Sequence, residues 1–263
     1  MKKEKKVGVA LGGGGARGFC HVGVLEVLHE NGIPIDVVTG CSMGALVGGG
    51  FAAGVPFEEI YEAAKKVKNT TVLDIDLFHL NQGGIAAGER AMKLYRKMVG
   101  EERLIEECNI KFACIATDLT ECKLHVFKSG ILWQAVRASM AIPGVFQPMR
   151  LDGRVFVDGG VLKRVPISEA RDLGADIVIA VDAIGPPWEQ TKINSVMKTI
   201  EAAFMLLDWK STRTETASAD ILITPKMGDK SVFSFKNNEE AIRAGREAAI
   251  YALPQIKKLL GME

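Results

Sequence analysis

The sequence predicts an α/β fold in which helices cover both faces of a mostly parallel β-sheet. Short apolar runs alternate along the chain with longer segments of helical periodicity, a pattern typical of such folds. Two of these runs, at 7–11 and 36–40, end at glycine-containing turns that lead into predicted helices. Because no linker separates two cores, we expect a single domain over residues 1–263.

The N-terminal elements follow from apolar spacing and from residues that end helices. Apolar side chains repeat at helical spacing through residues 16–30, and Gly32 and Pro34 then end that helix. The helix after the second strand is rich in glycine, which favours close packing over intrinsic helix propensity. In order, we predict a strand at 7–11, a helix at 16–30, a strand at 36–40, and helices at 42–53 and 57–68.

The remaining elements are less regular. Residues 71–88 carry mixed turn signals, and we predict that they and the irregular stretch 185–237 cover a site. The segment 119–122 joins two strands as a hairpin, which adds an antiparallel piece to the sheet. We predict helices at 89–99, 131–140, 167–173 and 239–260, a largely helical stretch at 188–218, and strands at 111–118, 123–127, 151–157, 176–181 and 221–223.

Charge and cysteine content argue against several classes of protein. Lys plus Arg number 33 and Asp plus Glu 32, which gives no electrostatic argument for a nucleic-acid partner. The five cysteines are odd in number and no two have CxxC spacing, so a disulfide framework and a zinc site are disfavoured. We interpret them as small buried residues in a reducing compartment. The apolar run behind the basic residues 1–6 is too short for a secretion signal, so we predict a cytoplasmic location.

Residues 37–57 resemble a membrane span in one respect. They carry no charge, and Gly40, Gly44 and Gly48 repeat at the spacing of a membrane-helix contact face. Six glycines and Pro56 nevertheless keep the hydropathy modest. We therefore interpret the segment as a strand, a tight turn and a buried helix.

A glycine-rich loop, residues 12–18, lies between the first predicted strand and helix. Its glycines permit a sharp turn and the close approach of a ligand, and amides at a helix start attract negative charge. The spacing of Gly13, Gly15 and Gly18 matches a dinucleotide fingerprint. However, the acidic residue at the right distance, Asp36, begins the second strand instead of ending it. The alternative is an oxyanion hole, in which the amides face the charge of a tetrahedral intermediate.

The second motif, Gly40-Cys41-Ser42-Met43-Gly44, favours the oxyanion hole. It is a G-x-S-x-G sequence at another strand-to-helix junction, where flanking glycines permit a strained turn that presents the serine hydroxyl. The helix that begins there adds a favourable field for an oxyanion. Ser42 is therefore a candidate nucleophile, and the alternative is a helix N-cap.

A serine nucleophile needs a base, and histidine is a poor candidate here. The chain has four histidines, and none follows position 125, whereas an α/β-hydrolase triad ends in a late histidine. Asp158 instead ends an apolar strand and precedes Gly159 and Gly160. Because α/β sites form at the carboxyl ends of parallel strands, Asp158 is a candidate general base. Its alternative is a turn aspartate.

Together these motifs resemble the patatin-like phospholipase family. The resemblance rests on residues 13–18, 40–44 and 158–160, in the order that the family has them. Further segments that look like bacterial members lie at 21–25, 116–120, 137–143 and 174–182, so that the resemblance covers about residues 7–182. It implies a three-layer α/β/α sandwich with a mostly parallel central sheet.

The resemblance also implies an activity and roles for residues. The family hydrolyses acyl esters, here those of phospholipids or lysophospholipids, by a Ser–Asp dyad without a cofactor or a metal. Ser42 is then the nucleophile and Asp158 the proton acceptor, while Arg17 orients its loop, meets a phosphate group or is solvated. The amides assigned to the oxyanion hole are those of Gly13, Gly14 and Gly15. The other motif glycines are Gly18, Gly40, Gly44, Gly159 and Gly160.

Two other functions stay open at this point. An acyltransferase would use the same serine, and a non-catalytic lipid-binding regulator would keep only the fold. Met43, with Met and Phe residues of the middle region, is a candidate for lining an acyl pocket. The expected partners are a lipid or acyl-ester substrate and, transiently, a membrane surface met through apolar residues of 185–210. A homodimer is also compatible with the sequence.

Overall fold

The computed structural model describes residues 5–72, 84–86, 88–186, 193, 195–228 and 230–262. The strands are β1 (Val7–Leu11), β2 (Val37–Cys41), β3 (Gly84–Ala86), β4 (Lys111–Asp118), β5 (Lys123–Phe127), β6 (Gly144–Phe146), β7 (Met149–Leu151), β8 (Arg154–Asp158), β9 (Ile177–Val181) and β10 (Ile221–Ile223). The helices are α1 (Cys20–Glu30), α2 (Met43–Ala52), α3 (Phe57–Lys66), α4 (Asn69–Val72), α5 (Glu89–Val99), α6 (Leu132–Ser139), α7 (Ile167–Asp172), α8 (Val196–Thr216) and α9 (Asn238–Leu260).

Helices cover both faces of the central sheet, as the sequence predicts. Side chains alternate between faces along a strand, and in β9 Val178 and Ala180 join one apolar cluster while Ile179 and Val181 join the other. The smaller cluster includes residues of α7, and the larger one includes residues of α1, α2 and α9. The fold is therefore a three-layer α/β/α sandwich with its core divided by the sheet.

The sheet is mostly parallel with an antiparallel side. Its described strands run in the order β10-β9-β1-β2-β4-β8-β7, and β5 also pairs with β4. The five strands from β10 to β4 are parallel to their neighbours, whereas β5 and β8 are antiparallel to β4. The predicted hairpin of β4 and β5 is thus confirmed. A small parallel pair of β3 and β6 was not predicted.

The register along β4 brings the ends of two strands together. β2 pairs with residues 111–115 of β4, and β8 pairs with residues 116–118. β5 pairs with residues 114–118, so it overlaps both and must occupy the opposite edge. β2 and β8 therefore lie end to end along one edge of β4, and their carboxyl ends meet beside Ile115 and Ala116.

This arrangement corrects the reason given for the position of Asp158. The sequence argument placed it at the end of a parallel strand, but β8 runs antiparallel to β4. Asp158 still reaches the site because β8 approaches from the far end of β4 and stops opposite Ala116. The preceding residue of β4, Ile115, is the partner of Cys41 in β2.

Several boundaries differ from those predicted. The predicted helix at 16–30 begins with a 3₁₀ turn at Gly15–Phe19, and α1 starts at Cys20. The helical stretch predicted at 188–218 is described as α8 from Val196, while 187–192 and 194 lie outside the described residues. Much of the predicted cover at 71–88, namely 73–83 and 87, also lies outside them.

The segment with membrane-like spacing is a strand followed by a helix. It comprises β2 and α2, which confirms the interpretation preferred from the sequence. Among the residues that the structure describes, no helix has both the length and the apolar character needed to cross a bilayer.

All five cysteines are free thiols. Cys20, Cys41 and Cys114 are buried as predicted, whereas Cys108 is half-buried and Cys122 is exposed. The prediction of burial was wrong for Cys122 because this residue lies in the turn of the β4–β5 hairpin, where the chain reaches the surface.

Candidate active site

Ser42 occupies the sharp turn between β2 and α2. Its backbone has φ 53° and ψ −120°, a conformation that residues other than glycine rarely adopt. Glycines make the turn possible: a Cβ atom at Gly44 would stand 2.2 Å from the Leu11 carbonyl oxygen. Likewise, a Cβ at Gly40 would lie 2.5 Å from the Ala45 Cα. Ser42 occupies the N-cap position of α2, as the alternative from the sequence has it, but its side chain makes no capping hydrogen bond.

Asp158 ends β8 and is 6% exposed. Its Oδ1 accepts a hydrogen bond from the Gly160 N–H at 2.8 Å, so the turn role suggested by the sequence exists. The Cys41 thiol donates to the same oxygen, with Sγ at 3.8 Å. Because Cys41 precedes Ser42, this contact places the carboxylate group beside the serine turn.

The glycine-rich loop lies against Ser42. A Cβ atom at Gly13 would be 3.6 Å from the Ser42 Cβ, an ordinary van der Waals contact, so the two residues are neighbours. The Gly13 N–H donates to the Arg164 carbonyl oxygen at 3.0 Å. In contrast, the Gly14 and Gly15 amides have no acceptor among the described residues. Of the three glycines predicted to form an oxyanion hole, Gly14 and Gly15 therefore have amides that no described acceptor occupies.

A buried histidine holds the start of this loop. The His21 Nε2 lies 2.7 Å from the Gly12 carbonyl oxygen, so Nε2 carries the hydrogen and donates it. Burial lowers the pKa of His21 to about 4, and the ring is therefore neutral at pH 7. His21 does not line the cavity that contains Ser42. Its position supports the loop and gives no role as a base.

Arg17 fastens the loop to a distant segment. The side chain is 2% exposed, so the solvated alternative is wrong. Its guanidinium donates to the carbonyl oxygens of Lys230 at 2.5 Å, Gly228 at 2.6 Å and Ile184 at 3.3 Å. Residues 228 and 230–235 are called the strap below. These contacts favour the loop-orienting role of Arg17 over the phosphate-binding one.

The strap also contacts the loop through its backbone. The Ala16 N–H donates to the Val232 carbonyl oxygen at 2.7 Å. Gly15 has φ 51°, and a Cβ there would lie 2.2 Å from the same oxygen. Glycine is therefore required at position 15 both for its backbone conformation and for the strap to approach.

One cavity, of about 110 Å³, collects most of the predicted site residues. This cavity is called the catalytic cavity below. Its lining includes Gly13, Gly14, Gly15, Ser42, Asp158 and Gly160. The motif residues that do not line it are Arg17, Gly18, Gly40, Gly44 and Gly159. Of these, Gly18 serves packing, because a Cβ there would lie 2.5 Å from the Met43 side chain.

Sequence reasoning did not single out several other residues at the site. Arg164 lines the catalytic cavity while its Nη2 donates to the Asp182 Oδ2 at 3.1 Å, in a buried ion pair. Val232 and Phe233 of the strap also line it. Arg164 follows the Asp-Gly-Gly motif closely, which is a signal that sequence could offer. The strap residues are not marked in this way, because they lie far along the chain from the motifs that they contact.

A second, almost wholly apolar cavity lies next to the serine turn. This cavity, called the apolar chamber, has a volume of about 80 Å³ and is bordered by α2, α3 and α5. Met43, the residue after Ser42, lines it together with Met140 and Phe146. Met43, the candidate for lining an acyl pocket, thus lies at an apolar cavity. The predicted cover from 185–237 supplies Val232 and Phe233 to the catalytic cavity instead.

Other chemical groups of interest lie elsewhere. His125 is half-buried on β5 against Phe127 and Phe156, His29 is exposed, and His79 lies outside the described residues. Within the described part of the chain, no cluster of three or more His, Cys, Asp or Glu side chains has the arrangement of a metal site. In the predicted membrane-contacting stretch, Leu206 is 65% exposed, while Trp188 lies outside the described residues.

Solved structures with the same fold include one bacterial and one human protein. VipD from Legionella pneumophila superposes with a TM-score of 0.59 at 16% identity, over 96% of this chain and 67% of that one. Human GIVD cytosolic phospholipase A2 gives 0.55 at 10% identity, over 98% of this chain and 60% of that one. At such identities the likeness concerns the fold.

Sequence relatives are more similar but longer. An uncharacterized NTE family protein of Mycobacterium tuberculosis is 41% identical over 180 residues, which cover 68% of this chain and 49% of the relative. Lysophospholipase NTE1 of Scheffersomyces stipitis is 36% identical over 194 residues, 73% of this chain and 12% of the relative. The chain thus spans about half the length of the mycobacterial protein. The family model described as patatin-like phospholipase matches residues 9–171, and the chain belongs to that family.

Proposed function

We propose that this chain is a serine hydrolase that cleaves acyl esters of phospholipids or lysophospholipids with Ser42 as nucleophile and Asp158 as base. The observation that carries the proposal is the shared lining of one cavity by Ser42, at a strained turn, and by the buried Asp158. Membership of the patatin-like phospholipase family supports the same reaction class. The name of the fungal relative, lysophospholipase, favours a lipid ester as the substrate.

In the first half of the reaction, the Ser42 Oγ attacks the ester carbonyl carbon while the Asp158 carboxylate accepts the hydroxyl proton. Collapse of the tetrahedral intermediate breaks the bond to the alcohol oxygen, which takes that proton from Asp158 and leaves. The acyl group remains on Ser42 as an ester. Asp158 is a carboxylate again and is ready for the second half.

In the second half, water attacks the acyl carbon and Asp158 accepts one of its protons. The second tetrahedral intermediate then expels the Ser42 Oγ, which regains a proton from Asp158, and the fatty acid is released. Both intermediates carry an oxyanion. Gly14 and Gly15 are the proposed donors, because their amides have no other acceptor among the described residues and α2 directs its N-terminal dipole to the same place.

The apolar chamber is the proposed site of the acyl chain. Its lining includes Met43, the residue after Ser42, so the chamber lies close to the proposed nucleophile. A volume of about 80 Å³ accommodates roughly five to eight groups of water or methylene size. Each methylene buried there contributes about 0.8 kcal/mol to binding. We therefore expect kcat/KM to rise from acetyl to octanoyl esters of the same alcohol.

Replacement of the two proposed catalytic residues tests this function. Ser42→Ala is expected to abolish hydrolysis of a long-chain lysophospholipid and labelling by a lipid fluorophosphonate, because the attacking oxygen is lost. Asp158→Asn is expected to lower kcat by about 10³-fold, since the amide accepts no proton. The double variant should be hardly slower than Ser42→Ala, because the two residues act as a unit. His125→Ala is the matched control and should keep wild-type rates.

Each other function gives a different result in this experiment. Wild-type protein that binds lysophospholipid vesicles but neither hydrolyses nor reacts with the fluorophosphonate would contradict the proposal in favour of a lipid-binding regulator. Transfer of the acyl group to an added alcohol, in preference to water, would identify an acyltransferase. Loss of activity in His125→Ala but not in Asp158→Asn would exclude the dyad.

A further inference from the structure

The Ser42 turn needs support beyond that of an ordinary helix start. A φ of 53° with ψ −120° at a residue other than glycine is unfavourable and persists only where surrounding contacts enforce it. The Ser42 carbonyl oxygen accepts the N–H groups of Ala45 and Leu46, which any first helical turn would supply. The additional contact is made by the Ser42 N–H, and it leads to a residue far along the chain.

Ser139, the last residue of α6, provides this contact. The Ser42 N–H donates to the Ser139 Oγ at 2.9 Å, and the Ser139 hydroxyl donates to the Ile115 carbonyl oxygen at 2.6 Å. The Ser139 side chain is fully buried. A hydroxyl group can donate one hydrogen bond and accept another, so the bonds to the Ser42 N–H and to the Ile115 carbonyl oxygen form at the same time.

The position of Ser139 coincides with the break in the sheet. Cys41 is the last residue of β2 to pair with β4, and its partner is Ile115. If β2 continued as a strand, the next N–H, that of Ser42, would face this part of the β4 backbone directly. The Ser139 hydroxyl lies between the two groups instead. It therefore satisfies two buried polar groups and fixes the place at which the chain leaves the sheet.

The same short segment also holds the proposed base. The Asp158 N–H donates to the Ala141 carbonyl oxygen at 2.9 Å, two residues after Ser139. Residues 139–141 thus bind the backbone N–H of both Ser42 and Asp158. A single segment at the end of α6 sets the relative position of two residues that come from different strands.

We propose that Ser139 is a positioning residue for the nucleophile: its hydroxyl fixes the Ser42 turn at the distance from Asp158 that proton transfer requires. This inference rests on the proposed function. Ser139 does not line the catalytic cavity and touches no reacting atom. Its loss therefore affects the chemical step and leaves the walls that bind substrate in place.

Ser139→Ala tests the inference. It should lower kcat for a lysophospholipid by about 10- to 100-fold, since displacement of about 1 Å at a reacting group has effects of that size. KM should stay within about twofold, because the binding walls are unchanged. Labelling of Ser42 by a fluorophosphonate should slow by the same factor as kcat. Hydrogen exchange at the Ser42 amide, which needs no activity, should become faster because its acceptor is gone.

Thr39→Val is the matched control. Thr39 is also fully buried on β2, and its hydroxyl donates to the Pro166 carbonyl oxygen at 2.7 Å, away from the catalytic cavity. This variant should lose stability as Ser139→Ala does but keep wild-type kcat per folded molecule. Should Ser139→Ala not fold, Ser139→Cys provides the test, since a thiol fits the space but forms weaker hydrogen bonds.

Two results would overturn the inference. One is wild-type kcat per folded molecule in Ser139→Ala, or in Ser139→Cys where the alanine variant does not fold. The other is an equal loss of kcat in Thr39→Val, which would indicate a general effect of lost stability. Failure of the proposed function itself looks different, since wild-type protein would then neither hydrolyse lipid esters nor react with the fluorophosphonate.

Discussion

The catalytic cavity has two walls that are built in different ways. One, the motif wall, consists of Gly13, Gly14, Gly15, Ser42 and Asp158. These residues lie at or just after the ends of β1, β2 and β8, so the register of the sheet determines their positions. The other wall consists of Val232 and Phe233 of the strap, which belongs to neither strand nor helix.

The strap depends on the motif wall for its position. Arg17 and Ala16 bind its carbonyl groups, and the strap oxygen of Val232 lies directly over Gly15. A further anchor is Asn69, whose Oδ1 accepts the Phe235 N–H at 2.9 Å. The comparison indicates a division of labour. Backbone register fixes the proposed reacting groups, while a segment held by side chains completes the lining of the cavity around them.

The largest effect is expected where the two walls touch. Gly15→Ala places a Cβ atom 2.2 Å from the Val232 carbonyl oxygen at a residue with φ 51°, so the loop or the strap must move. Displacement of one proposed oxyanion donor lowers kcat by about 10²- to 10³-fold. Steady-state hydrolysis of a lysophospholipid measures this loss.

Gly32→Ala is the control for Gly15→Ala. Gly32 also has positive φ, 63°, but a Cβ there meets nothing within 4 Å. This variant should lose about 1 kcal/mol of stability from backbone strain and keep wild-type kcat. Equal loss of activity in both variants would mean that strain alone, and not contact between the walls, controls the site.

The motif wall was predictable because its tight turns require particular residue types, which the sequence shows directly. Turns that bring backbone atoms as close as those at Gly40 and Gly44 accept no side chain, so glycine marks them. Asp158 was predicted on the assumption of a parallel strand, and the site exists because an antiparallel strand ends beside β2. The sequence did not indicate whether β8 runs parallel or antiparallel to β4, because the apolar pattern of a five-residue strand is the same in both cases.

His21, which holds the start of the glycine-rich loop, should make the stability of the protein depend on pH. The pKa of His21 is about 4 in the folded protein because burial disfavours the charged ring, whereas the ordinary value is 6.5. The unfolded chain therefore binds a proton between these values and the folded protein does not. The free energy of unfolding should be constant above pH 6.5 from this source and fall by up to roughly 3 kcal/mol as pH drops to 4.

His21→Gln tests the assignment of this pH dependence. Urea unfolding between pH 4 and pH 7 should show a flatter slope in the variant, since glutamine does not titrate. Some slope should remain, because burial also lowers the pKa of His125. His29→Gln, at an exposed position of α1, is the matched control for the substitution itself. A slope in His21→Gln as steep as that of wild type would show that other groups cause the acid sensitivity.

The contacts of the strap and the shape of the apolar chamber were beyond what the sequence could predict. The strap lies in a stretch without helical or strand periodicity, and the contacts of Gly228, Lys230 and Val232 with residues 16 and 17 arise only after folding. Helices α3 and α5 were predicted correctly from their periodicity. The apolar chamber between them depends on how the two helices pack against the rest of the protein. Periodicity in the sequence does not contain that information.

The smallest effect is expected at the strap side chain itself. Phe233→Ala removes a ring from the lining of the catalytic cavity, where we expect the alcohol part of the ester to lie because the acyl chain is assigned to the apolar chamber. The ratio of kcat/KM between glycerophosphocholine and methyl esters of one fatty acid should fall about tenfold, because only the larger alcohol loses packing, equivalent to roughly two methylene-sized groups. The ratio between octanoyl and butanoyl esters should stay constant, because the chamber is untouched.

Phe57→Ala, a half-buried ring that lines neither cavity, should change neither ratio. If Phe233→Ala instead altered acyl-length preference, the strap would be part of the acyl site, and the two walls would not divide alcohol recognition from catalysis.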